Sequence, residues 1–290
     1  MFVTFVVLVV AAVAGLAAYL GPNGLAFVLH DERETAPFVM VNLLDFDDTA
    51  AEIRYRQGFA DPALGLTQAI GGEALWEGRL ESIVEGRLHD EWQLVSLVRY
   101  PSRAAFVDLV TSAEYRALLA GRDASLDRSA ALAATPTTPF EGAGSAFALR
   151  LVRGSADDWR ERYDTEWQAE DTALLERHGG RVAWRAGISP LDAKPEFAFD
   201  EVSLYAFVDV AGRAAWADDI ERRTVQSLER RLFARDVVLS LRASGPAARE
   251  APVDSESEAE EVDGAELVEL AEVGEGARLE VGEVLEAVDH

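Results

Sequence analysis

The side chains with chemistry to offer in this sequence sit inside apolar runs. Asn42 falls in the middle of Phe38 to Phe46, where alternation puts it on one face with Phe38, Met40, Leu44 and Phe46. Burying an amide without partners costs on the order of a few kcal/mol, so something must hydrogen-bond to it. Two readings are open: the amide lines a pocket, between sheet and helices or between sheets, or it bonds a neighbouring loop. Arg150 holds the corresponding place in a second run, on one face with Ala148 and Val152, and either joins such a pocket or reaches its rim. Trp76 and Trp184 each begin a strand after a Gly-Gly pair, which suits core or inter-sheet packing, with a ligand platform as the other reading. The four histidines, His30, His89, His178 and His290, include no pair at metal-ligand spacing, and no carboxylate cluster frames them. Neither a metal nor a cofactor is expected, and His178 at a helix end suits a capping cation. With no cysteine, thiolate sites, disulfides and cysteine nucleophiles are excluded. Nucleophile-elbow, dinucleotide and P-loop patterns do not occur.

These residues must be positioned by a pattern that reads β-α-β-β-α-β twice. In the first copy the strands are Phe38 to Phe46, Ala74 to Glu85, Trp92 to Tyr100 and a short one near Ala130 to Ala134. The first helix runs from Thr49 to Ile70, with a restart at Asp61-Pro62, and Ser102 caps a second one reaching about Leu119. In the second copy the strands are Ala146 to Val152, Arg181 to Ile188, an alternation of Val202, Leu204, Ala206 and Val208, and Val237 to Leu241. Ser155 and Asp158 are expected to form a capping box, followed by a stripe of Trp159, Tyr163, Trp167, Leu174 and His178. Trp216, Ile220, Leu228 and Leu232 mark the last helix. The copies align directly: Gly71-Gly72 to Trp76 matches Gly179-Gly180 to Trp184 at an offset of 108, and Arg103 to Phe106 matches Arg213 to Trp216 at 110. This points to a tandem duplication. The fold class is α+β, two ferredoxin-like βαββαβ units that supply each other's open sheet face within one chain. The chain is expected to be a monomeric pseudo-dimer.

The ends of the chain differ from this core. Phe2 to Leu20 is uncharged over 19 residues, which as a helix spans ~28 Å, close to the hydrocarbon thickness of a bilayer. It reads as a transmembrane helix, residues 1–20, followed by a linker over 21–36. A cleaved signal peptide is the rival reading, since Ala12-Val13-Ala14 offers a small-residue site, yet no basic residue precedes the run. The charge distribution favours an extracytoplasmic bulk. The net charge is −25, and Pro246 to His290 holds 15 acidic residues against Arg249 and Arg278. A disordered acidic tail is therefore expected over 246–290, and nucleic acid is excluded as a partner.

Five short motifs in order carry a resemblance: Val41-Asn42-Leu43-Leu44-Asp45-Phe46, Gly71-Gly72, Tyr100-Pro101-Ser102-Arg103, Ser112 to Tyr115, and Arg122. Over residues 37–135 they resemble the domain of unknown function 1330 family of the dimeric α+β barrel superfamily. The resemblance implies a ligand site at Asn42, Tyr100, Tyr115 and Arg122, where the arginine could hold a carboxylate or enolate. A local ion pair is the other use of Arg122. Trp92 is followed by Gln93 where the family usually shows Trp-Asp, and the second unit, residues 145–244, has lost the signature.

The expectation is a membrane-anchored tandem α+β barrel binding a small apolar or aromatic ligand. The alternative is a cofactor-independent oxygenase or isomerase-type enzyme of the same superfamily, and a third reading is a structural protein acting through its tail.

Overall fold

The computed structural model describes residues 35–88, 92–190 and 197–244. The Phe2–Leu20 segment, the acidic tail and His30, His89 and His290 lie outside these residues. No helix among the described residues is long and apolar enough to cross a membrane.

The first half contains β1 (Phe38–Asp45), α1 (Thr49–Tyr55), a π-helical turn (Arg56–Ala60), α2 (Asp61–Ala69), β2 (Glu73–Glu85), β3 (Leu94–Tyr100), α3 (Arg103–Thr111), α4 (Ala113–Asp123) and β4 (Arg128–Pro136). The second contains β5 (Ala146–Gly154), α5 (Trp159–Glu166), α6 (Gln168–Arg177), β6 (Gly180–Pro190), β7 (Glu201–Phe207), α7 (Val210–Asp218), α8 (Ile220–Glu229) and β8 (Phe233–Ala243). Within each half the strands run in the spatial order fourth, first, third, second. The two sheets then join edge to edge through β2–β8 and β4–β6, giving one closed antiparallel barrel, β1-β3-β2-β8-β5-β7-β6-β4. Closure removes the unpaired N–H and C=O rows that two sheets merely stacked face to face would leave exposed.

Alternation sorts every strand between two cores. Val39, Val41 and Leu43 of β1 point into the barrel with Phe147, Leu149 and Leu151 of β5. Phe38, Met40 and Leu44 face the first half's helices. Because both faces of the strand are covered, β1 reads as a nearly unbroken apolar run. Trp76 packs edge-on against Phe147 across the barrel, ring centroids 5.1 Å apart, so each half buries part of the other.

The repeated Gly-Gly-x-x-x-Trp motif has a physical basis. Gly71 and Gly179 adopt φ of 84° and 68°, the left-handed conformation that ends a helix and favours glycine. At the second glycine a Cβ would lie 2.8 Å from the Arg99 carbonyl oxygen in one half and 2.6 Å from the Phe207 ring in the other. The strand register then slips between Ala74 and Trp76, and likewise between Val182 and Trp184. These matched bulges, one extra residue each, accompany tryptophans that are both buried in the barrel.

Four sequence expectations are corrected. The helix from Ser102 to Leu119 is two helices, because Ser112 is extended and its side chain accepts from Tyr115 N, capping α4. Asp219 does the same before α8, which turns Ile220 outward to 79% exposure and removes it from the buried stripe. The Ser155–Asp158 capping box does not form: Ser155 Oγ donates to the Arg231 carbonyl at 2.9 Å, and Asp158 precedes α5 without a side-chain cap bond. Val208 lies beyond β7 and is 75% exposed.

A fragment of residues 35–136 leaves the β2 and β4 edges and the barrel-facing apolar surface uncovered. It is expected to self-associate into dimers in analytical ultracentrifugation, and a stable monomer would contradict the shared core.

Candidate functional site

The outer face of the first sheet carries a cavity of about 280 Å³ beneath α1, the π-helical turn, α2 and α4. Asn42, Tyr100, Tyr115 and Arg122 all line it. They arrive from three elements: Asn42 from mid-β1, Tyr100 from the end of β3, and Tyr115 and Arg122 from the first and last turns of α4. Tyr55, Phe59, Tyr100, Phe106 and Tyr115 give part of its wall an aromatic lining, backed by Phe38. Phe38 stacks on Tyr100 at 5.4 Å, Phe106 meets Tyr100 edge-on at 4.9 Å, and Phe59 lies 5.4 Å from Tyr55 and 5.7 Å from Tyr115.

The polar groups are few and spaced apart. Asn42 Nδ2 donates to Ser96 Oγ at 3.2 Å, directly across the β1–β3 ladder, so the mid-strand amide is met by a strand neighbour rather than by a loop. Arg122 Nη2 donates to Ser129 Oγ at 2.8 Å and Nη1 to Asp123 at 3.2 Å, while its guanidinium stands 5.8 Å from the Phe59 ring centroid. At another part of the wall Arg56, on the π-helical turn, donates to Glu77 at 2.8 Å and to Glu52 at 3.0 Å. Its hydrogen bond with Glu77 holds the Arg56 guanidinium above its usual pKa. Burial pushes the Glu52 carboxyl upward, yet hydrogen bonds from Arg79 and Arg56 outweigh it and leave the pKa below the ordinary value. Among the described residues no histidine lines the cavity. Among the described residues no group of three histidine, cysteine or acidic side chains could hold a metal ion.

The second half shows what the same position becomes when filled. Strand registers place Arg150 opposite Ser203 as Asn42 lies opposite Ser96, and Arg185 opposite Ser203 as Glu77 lies opposite Ser96. Asp236 opposes Val152 as Ser129 opposes Leu44. At the offset of 108, Asp171 corresponds to Ala63 and Tyr163 to Tyr55. Larger charged groups thus stand where the first half has small ones. Arg150 grips Asp236 with two bonds of 3.0 and 2.7 Å and Asp171 with a third of 3.0 Å; Tyr163 donates to Asp171 at 2.8 Å. Burial opposes charge on Arg150, but the two aspartates hold it well above its usual pKa. About 20 Å³ remains beside this network. Of the two readings of Arg150, the rim-reaching one is therefore set aside, because the guanidinium is buried and its carboxylates face it.

Sequence reasoning missed Tyr55, Phe59, Arg56 and Glu77. Tyr55 and Phe59 stand four residues apart, a spacing that signals one helical face. The π-helical turn that carries Phe59 and Arg56 has no comparable signature; such turns occur frequently at functional sites. His178 caps α6, with Nε2 2.7 Å from Asp219, far in sequence from any cavity residue.

Residues 37–135 match the model of the family described as domain of unknown function (DUF1330), and the match ends before β5. No curated protein matches the chain. Among solved structures, an anthrone oxidase-like protein is 11% identical over 72% of this chain and 92% of its own, with a TM-score of 0.48. A mutant chlorite dismutase from Candidatus Nitrospira defluvii is 12% identical over 73% of this chain and 92% of its own, TM-score 0.47. A protein of unknown function from Rhodopseudomonas palustris is 25% identical over 37% and 88%, TM-score 0.34.

Replacing Arg150 by Asn leaves Asp171 and Asp236 without their cation in a largely dry site. Urea denaturation should show a loss of about 3 kcal/mol or more, whereas Asn42→Ala should cost under about 1 kcal/mol.

Proposed function

We propose that the first-half cavity binds a small apolar or aromatic molecule carrying an acidic or carbonyl group, with Asn42, Tyr100, Tyr115 and Arg122 as contacts. One observation carries the reading: the fold packs the equivalent position in the second half with Arg150, Asp171 and Asp236, so the open space in the first half is not a requirement of the architecture. Aromatic walls favour a planar apolar body by stacking and edge contacts. Arg122, at the C-terminal turn of α4, is the cation suited to an oxyanion by charge-assisted hydrogen bonds. Of the two carboxylates that line the cavity, Asp61 and Glu77, the second is bound to Arg56 at 2.8 Å. Tandem duplication accounts for the recurring element order, the second copy having kept its packing tryptophans while its pocket residues changed.

Naphthalene-2-carboxylate is a suitable probe of this site. Arg122→Ala should weaken its binding about tenfold or more in calorimetric titration, as expected for a lost charge-assisted hydrogen bond, with the melting temperature within about 3 °C of the parent. Unfolding of the Arg122→Ala protein would instead make Arg122 a structural ion-pair partner and end its assignment to the site.

The membrane-anchored placement, with the bulk of the chain extracytoplasmic, rests on the 19 uncharged residues Phe2 to Leu20. Alkaline carbonate washing should leave the intact protein in the membrane pellet; its release into the supernatant would count against an anchor.

A further inference from the structure

The space of about 20 Å³ in the second half is lined by three arginines, Arg150, Arg185 and Arg222, against one carboxylate among the described residues, Asp171. Arg150 and Tyr163 both donate to Asp171, so that carboxylate is answered. The other two arginines are buried without comparable partners. Arg185, 9% exposed, bonds through Nε alone, at 3.2 Å to Ser203 Oγ with Glu201 3.6 Å away. Its two terminal nitrogens make no hydrogen bond among the described residues. Arg222, 4% exposed, lies over the Trp216 ring at 4.0 Å. It reaches the Ala217 carbonyl and Glu85 at 3.4 Å each, longer than the ~2.7–3.2 Å of a good N–H···O bond. Burial, which Glu85 opposes and Arg150 reinforces, holds its pKa below the usual value. Gln226, four residues on along the same face of α8, brings an amide to this wall, and Tyr205 of β7 a hydroxyl. Both residues are buried, and neither side chain has a hydrogen-bond partner among the described residues.

We infer that this space binds one monatomic anion of the halide class, held by Arg185 and Arg222 with Tyr205 and Gln226 as further donors. Guanidinium, amide N–H and hydroxyl groups all donate, and a bare anion only accepts, so one ion answers all of them. A water there must also donate, and the carboxylate of the wall is already taken by Arg150 and Tyr163. Size sets the class. The volume is room for about one water-sized sphere, which admits a single ion and excludes phosphate, sulfate or an organic acid. The donors come from β6, β7 and α8, so the ion ties the last helix to the sheet beneath it. Arg185 holds the register position of Glu77, which lines the larger cavity of the first half. This anion site is separate from that cavity and does not rest on its ligand.

Sodium chloride and sodium gluconate at equal ionic strength separate a bound ion from general screening, because gluconate is too large for the space. Thermal melting of the full chain should rise with chloride and level off, the mark of a saturable site. At about ten times the dissociation constant the gain over gluconate should be roughly 3–6 °C. Arg185→Met should lose that gain. Gln226→Leu, which removes an uncharged donor, should weaken chloride binding several-fold and serves if the arginine variant does not fold. In crystals of the parent protein soaked in sodium bromide, an anomalous peak should lie beside Arg185 and Arg222. A gain that climbs without saturating, one retained in full by a folded variant, or a water in place of the bromide peak would each overturn the site.

Discussion

Pairing of strand edges between the halves is the interaction on which the other features depend. A four-stranded sheet with helices on one face keeps an apolar second face and two edges of unpaired backbone groups. Here β2 pairs with β8 and β4 with β6, so both edges vanish together and the two inner faces become one sealed core. Long side chains secure the β2–β8 seam from outside. Glu81 receives Arg213 and Arg242, and Glu85 receives Arg222 and Arg230, tying the far end of β2 to elements of the second half.

With stability vested in that shared interior, the outer faces of the two sheets are free to differ. One keeps small residues under its helices and retains a cavity; the other fills the space with an arginine and two aspartates. A buried ion network of this type is poor at adding net stability compared with apolar packing, yet removing one member is costly. Such a face tolerates change only in concert, whereas the Asn42 face can alter one residue at a time.

What was legible in the sequence was local. Alternation in Phe38–Asp45 and Ala146–Gly154, the Gly-Gly breaks and the Trp76/Trp184 correspondence are short-range patterns, and the strands follow them. The company of Asn42, Tyr100, Tyr115 and Arg122 in one cavity was readable only through motif resemblance, because they come from three separate elements. The splitting of helices at Ser112 and Asp219 escaped because both residues also fit a helix surface, and only backbone geometry shows them as caps. Arg150 was visible as an oddity, but its partners lie 21 and 86 residues away, beyond any periodicity.

The register of β2 against β8, Gly78 beside Ala243 and Leu80 beside Leu241, has a kinetic consequence. The strand made early pairs with the last strand of the barrel, which gives the fold a high contact order and a slow rate-limiting step. During synthesis the first half emerges complete in sequence but must wait for roughly the length of a second domain before its edge is met. At about 5–20 residues per second that interval lasts several seconds. Over that time β2 is a bare template beside the ribosome, and its run of Glu73, Glu77, Glu81 and Glu85 places negative charge along it. Those glutamates are the kind of charge that exposed edge strands commonly carry, and in the closed barrel arginines of both halves claim them.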